Sequence, residues 1–133
     1  MTETITSQKA SMQTTAKLSE ADLSQFTGTE QWYRHALNRK VLFTDGAKYV
    51  ADEGDANWLL DEIALAQHYE KRLARQDFQV WKLTVNANHT GTITVEDGND
   101  NVIFTKPLDY TDFPAPEITL WFRNNVIYLP SEH

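Results

Sequence analysis

At Phe78 the apolar residues of this chain change spacing, from the three-to-four-residue repeat of a helix to the two-residue repeat of a strand. Before that point Trp58, Leu59, Ile63, Leu65, Ala66, Tyr69 and Leu73 share one broad helical face between Ala56 and Arg75, with Gln67, His68 and Lys71 opposite. Asp55, Asp61 and Glu62 stand at the start of this stretch and Lys71, Arg72 and Arg75 at its end, an order that suits the helix dipole. After it, Trp81, Leu83 and Val85 alternate with Lys82 and Thr84. Helical pattern first and strands afterwards gives an α+β fold. The expected architecture is an antiparallel sheet packed on one long central helix, with short accessory helices.

Turn residues divide the rest. Ser19 can cap a short helix reaching Phe26, with Gly28 as its stop. Trp32, Tyr33 and His35 alternate and predict a hairpin with Val41–Thr44 across Asn38-Arg39-Lys40. Asp45-Gly46 breaks that strand, and Ala47–Asp52 reads as a helix ending before Gly54. Beyond Phe78, Asn88-His89-Thr90-Gly91 turns the chain into Thr92–Glu96, and Asp97-Gly98-Asn99 turns it into Val102–Thr105. A loop with three prolines runs from Lys106 to Glu117, and Asn124-Asn125 closes a last hairpin between Ile118–Phe122 and Val126–Leu129. The strands form a five-stranded meander beside the N-terminal hairpin. Residues 1–17 are polar and bury almost nothing, so they are expected to be a disordered tail, with Met12 as an alternative start. Residues 18–133 are expected to form one α+β domain.

Charge and composition remove several function classes. The net charge is −7, with 19 acids against 12 Lys and Arg, so no direct nucleic-acid partner is expected. There is no cysteine, and between Ser24 and Ser131 there is no serine, which leaves serine and cysteine nucleophile chemistry without a scaffold. No Gly-rich phosphate loop is present and no cofactor is implied. Asp97, Asn99 and Asn101 imitate the start of a calcium loop, but Val102 and Leu108 occupy its glycine and bidentate-acid positions, so the segment reads as a hairpin turn. His35, His68 and His89 lack metal-ligand spacing. No apolar run approaches the about 20 residues of a membrane span, and a cytoplasmic setting is expected.

Two candidate sites remain. Acids cluster at Asp45, Asp52, Glu53, Asp55, Asp61 and Glu62, and again at Glu96, Asp97, Asp100, Asp109, Asp112 and Glu117. If they share a side they form a negative surface for a protein partner with a basic face. The loop Leu108–Pro116 sets Tyr110 and Phe113 between acids on a proline-stiffened backbone, where Phe113 either anchors an interface or closes the core. The partner-binding candidates are therefore Asp97, Asp100, Asp109, Tyr110, Asp112 and Phe113. The second candidate is a groove between helix and sheet lined by Trp32, His35, Glu62, Tyr69 and Trp81. There Glu62 lies inside the apolar face, either as a perturbed catalytic acid or as an edge residue reaching water, Arg72 or Lys82, and Glu62 or His35 is the candidate general base. The edge strands Val41–Thr44 and Val126–Leu129 could pair between subunits and make a homodimer.

Thr27–His35, Thr44-Asp45-Gly46, Trp58–Ile63, Glu96–Asn99, Tyr110–Pro114 and Leu129–Glu132 occur in order. In them the chain resembles, over about residues 23–133, a family of small bacterial proteins of unknown function often labelled plasmid-related. The resemblance implies a mobile-element setting and no activity or site residue. The expected role is a non-enzymatic acidic interaction protein inhibiting a host nucleic-acid-handling or defence system, of anti-CRISPR or anti-restriction type. The alternative is a small-molecule binder or acid–base enzyme working in the groove around Glu62.

Overall fold

A computed structural model describes residues 18–27 and 31–133; the expected tail and Gly28 lie outside the described residues. A short helix, α1 (Glu20–Leu23), begins where Ser19 Oγ accepts the Asp22 N–H at 3.3 Å. The hairpin β1 (Trp32–Arg34) and β2 (Leu42–Thr44) follows, antiparallel with Trp32 opposite Thr44, as the alternation predicts. Helix α2 (Asp45–Glu53) starts directly from β2 because Thr44 caps it, its side chain accepting the Ala47 N–H at 3.2 Å.

Helix α3 (Asn57–Tyr69) and helix α4 (Lys71–Ala74) replace the single long helix expected over Ala56–Arg75. The break falls at Glu70, whose backbone is extended at φ −114° and ψ 91°. No Gly or Pro announces it. It is a tertiary effect: the re-aimed α4 drives Leu73 fully into the core, and its carbonyl accepts the Gln79 side-chain amide at 2.6 Å.

The strands are β3 (Phe78–Val85), β4 (Gly91–Glu96), β5 (Val102–Leu108), β6 (Glu117–Arg123) and β7 (Val126–Tyr128). With β1 and β2 they form a seven-stranded sheet in the order β1-β2-β7-β6-β3-β4-β5. This corrects the expected antiparallel meander on one long helix, since β2 and β7 pair in parallel, Phe43 opposite Ile127, and make the sheet mixed. Those two strands were expected to be free edges available to a second subunit. They satisfy each other instead, and the open edges among the described residues are β1 and β5.

The pleat places Gln79, Trp81 and Leu83 of β3, Ile93 and Val95 of β4, Ile118, Leu120 and Phe122 of β6 and Ile127 of β7 in one buried layer. Leu59, Leu60, Ile63 and Ala64 of α3, with Ala47, Val50 and Ala51 of α2, belong to the same core. On the other face Phe78, Trp121 and Tyr128 stack edge to face, with ring centroids 5.1 and 6.0 Å apart. Burial there pushes the Tyr128 phenol pKa above its ordinary 10.0. The β6–β7 turn is the expected one, with Asn124 and Asn125 at φ 54° and 64°. No helix among the described residues is long and apolar enough to cross a membrane.

Candidate functional site

Helix α3 is wider in its apolar face than the core requires. Leu59, Ile63 and Ala66 go inward, while the adjoining stripe of Trp58, Leu65 and Tyr69 is only partly covered, Trp58 packing on the margin of the core and Tyr69 standing 77% exposed. This stripe overhangs β5, the open edge of the sheet. Register puts Phe104 opposite Val95 and Lys106 opposite Ile93, so both side chains rise on the core face beneath the helix. Between helix and strand lies a groove with a cavity of about 390 Å³, lined by Trp58, Asp61, Glu62, Leu65, Ala66, Tyr69, Glu70, Phe104 and Lys106.

Its chemistry is apolar walls with an acidic rim. Three carboxylates, Asp61, Glu62 and Glu70, face a single amine, Lys106. Lys106 Nζ and Glu62 Oε2 are 2.6 Å apart, with the side chains 44% and 31% exposed. An ion pair this wet adds at most about 1 kcal/mol, so it aligns the groove more than it holds the fold. The basic residues Lys71 and Arg72 follow on α4 and do not line the cavity.

Asp61 is held from behind. His35, 4% exposed, places Nε2 2.7 Å from Asp61 Oδ1, while its Nδ1 accepts the N–H groups of Leu37 and Asn38 at 3.1 and 3.0 Å. Two donors on Nδ1 assign the ring proton to Nε2, which donates to Asp61. No lone pair is left to accept a proton from a substrate, so His35 is a positioning residue for Asp61 and not the expected base. Nor is Glu62 an acid enclosed in apolar surroundings. It pairs with Lys106 at the rim, rather than with Arg72 or Lys82.

Of the residues expected in a helix–sheet groove, Glu62 and Tyr69 meet there. Trp81 is buried in the core, its indole N–H donating to Gln79 Oε1 at 2.9 Å. Trp32 is 54% exposed on β1, at the opposite edge of the sheet. Trp58, Leu65 and Ala66 lie on the broad helical face read from the sequence, and Phe104 lies in its expected strand; Lys106 falls in the expected loop because β5 runs on to Leu108.

The other candidate surface is divided. Asp97 and Asp100 precede β5, and Asp109, Tyr110 and Asp112 follow it, so one strand's length separates them. Asp97 is engaged by its own turn: Asn101 Nδ2 donates to Oδ2 at 3.0 Å and the Asn99 N–H to Oδ1 at 2.8 Å, and these bonds hold its carboxyl below the ordinary carboxylate range. The segment is thus a hairpin turn. Tyr110 is 68% exposed, whereas Phe113 is 3% exposed and closes the core, taking the second of its two expected places. Phe113 also packs so closely on Gly54 that a Cβ there would lie 2.7 Å from its ring. That contact joins the end of α2 to the 109–113 loop. Among the described residues, no group of three or more His, Cys, Asp or Glu is placed to hold a metal ion.

Residues 17–133 match a sequence family described as Family of unknown function (DUF6876). No curated protein matches the chain, and no solved structure does.

Proposed function

The chain belongs to the DUF6876 family, whose function is unknown, and we propose from its groove that it is a non-catalytic interaction protein that takes a basic segment of a protein partner between α3 and β5. The observation that carries this reading is the pairing of unfilled apolar surface with unbalanced acid: Trp58, Leu65, Tyr69 and Phe104 under a rim of Asp61, Glu62 and Glu70 against Lys106 alone. Apolar side chains of a partner gain about 25 cal/mol per Å² on entering such a surface. Its Lys or Arg side chains are steered there by a chain of net charge −7. The acids at both ends of β5 extend the same field.

Surfaces rich in Lys and Arg are those that meet phosphate, so the partner class we propose is a nucleic-acid-handling protein, inhibited by occupation of its basic surface. A plasmid or other mobile-element setting, with a host defence system as target, is the biological form of this proposal. The test is a pull-down from nuclease-treated bacterial lysate with wild-type bait and with a Glu62→Lys, Tyr69→Ala double variant. The expected result is a basic protein retained by the wild type, lost from the variant and released by raised salt. Equal retention by both baits would move the interaction away from the groove and refute the reading.

A further inference from the structure

The shape of the partner segment can be drawn from the groove, an inference that rests on the reading above. An extended segment would pair with the open edge of β5, but that edge offers little continuous backbone. Val95 pairs with Phe104 and Glu96 with Val102, so Ile103 is skipped as a bulge, and Pro107 has no N–H to give. Only Phe104–Lys106 remains between them. Bulge, proline and an inward lysine are devices that discourage strand addition.

Helix α3 offers the opposite. Its groove-facing residues Trp58, Glu62, Leu65 and Tyr69 are spaced four, three and four residues apart. That spacing is the seam of a heptad repeat, in which the side chains of one helix enter gaps between those of another. The seam runs about 16 Å at 1.5 Å per residue, three turns of helix whose outer edge at Leu65 and Tyr69 is left open. Phe104 and Lys106 wall the far side. One seam position is charged. A polar group at such a position selects its partner and register, and Glu62 selects a cation.

We infer that the groove takes an amphipathic α-helix of the partner, laid along α3 with apolar residues at heptad spacing and a Lys or Arg opposite Glu62. The Glu62 carboxylate, 2.6 Å from Lys106, then serves two cations, each reached by one of its oxygens.

Two synthetic peptides of about fourteen residues, two heptads each, separate the possibilities. Both contain only Leu and Lys in the same proportion. One carries its Leu on a single helical face, at the two seam positions of each heptad and at positions flanking them, and the other alternates Leu and Lys. Binding to the whole chain is read by fluorescence anisotropy, and peptide conformation by far-ultraviolet circular dichroism. The inference expects the heptad peptide to bind at least about tenfold tighter than the alternating one, to gain helix on binding, and to lose about tenfold or more on Leu65→Glu. Equal or tighter binding of the alternating peptide, lost on Leu65→Glu, overturns the helical inference and leaves the groove reading standing. Binding of both peptides unaffected by Leu65→Glu reports charge attraction alone and overturns it too. If neither peptide binds, the inference falls, and the pull-down with the double variant decides separately whether the groove reading falls with it.

Discussion

The residue that most specifies the inner layer is Gln79, fully buried yet without an unmet bond. Its amide donates to Gln67 Oε1 at 2.9 Å and to the Leu73 carbonyl at 2.6 Å, and its oxygen accepts from Gln67 Nε2 and Trp81 Nε1, both at 2.9 Å. Three of these four bonds tie β3 to α3 and α4. Replacing it with an apolar residue of similar size removes every one, strands the Trp81 N–H in the core and leaves the Leu73 carbonyl with the backbone Gln76 N–H at 2.9 Å. Gln79→Leu is therefore expected to destabilise the chain by about 3 kcal/mol, read as a lowered urea midpoint. An unchanged midpoint would mean that the network is dispensable. Gln79 also shows where sequence pattern fails. A glutamine preceding Trp81, Leu83 and Val85 in a period of two sits on their buried side, but nothing in the chain says which amide on a distant helix will meet it.

At the scale of elements, local chemistry was legible and long-range pairing was not. Asn124-Asn125 announces its turn because asparagine tolerates positive φ, whereas Thr44, read only as a strand end, also caps α2. The parallel pairing of β2 with β7 has no local signature, since it joins segments more than eighty residues apart (Leu42 with Val126). The break at Glu70 likewise follows from where Leu73 must go. Gly54 marks another joint of this kind. It ends α2 and lies under Phe113, and an added Cβ would stand 2.7 Å from the ring and 2.9 Å from the Val50 carbonyl. Because one of those neighbours is backbone, Gly54→Ala is expected to cost about 2 kcal/mol in thermal or urea unfolding. It should also loosen the 109–113 loop, seen as faster amide exchange at Thr111 and Phe113. No change in either measure would show that the two segments are not coupled by this contact.

At the scale of the molecule, one layer of helices covers one face of the sheet and stops short of covering all of its own apolar surface. The outer stripe of α3 and the open edge of β5 converge on one groove. Much of the stripe belongs to the broad apolar helical face that the sequence shows. Its other wall depends on the exact extent and register of β5, and so was hidden. The expected acidic surface exists only as separate poles, with the groove between them. The most direct test of the groove as the interaction site is amide and indole chemical-shift mapping of the isotope-labelled chain while the heptad Leu–Lys peptide is added. Shifts concentrated at Trp58, Leu65, Tyr69, Phe104 and Lys106, with the Trp58 indole among the largest, are the predicted result. Shifts centred instead on Trp121 and Tyr128 of the opposite sheet face, or spread evenly over the acidic turns, would contradict the account.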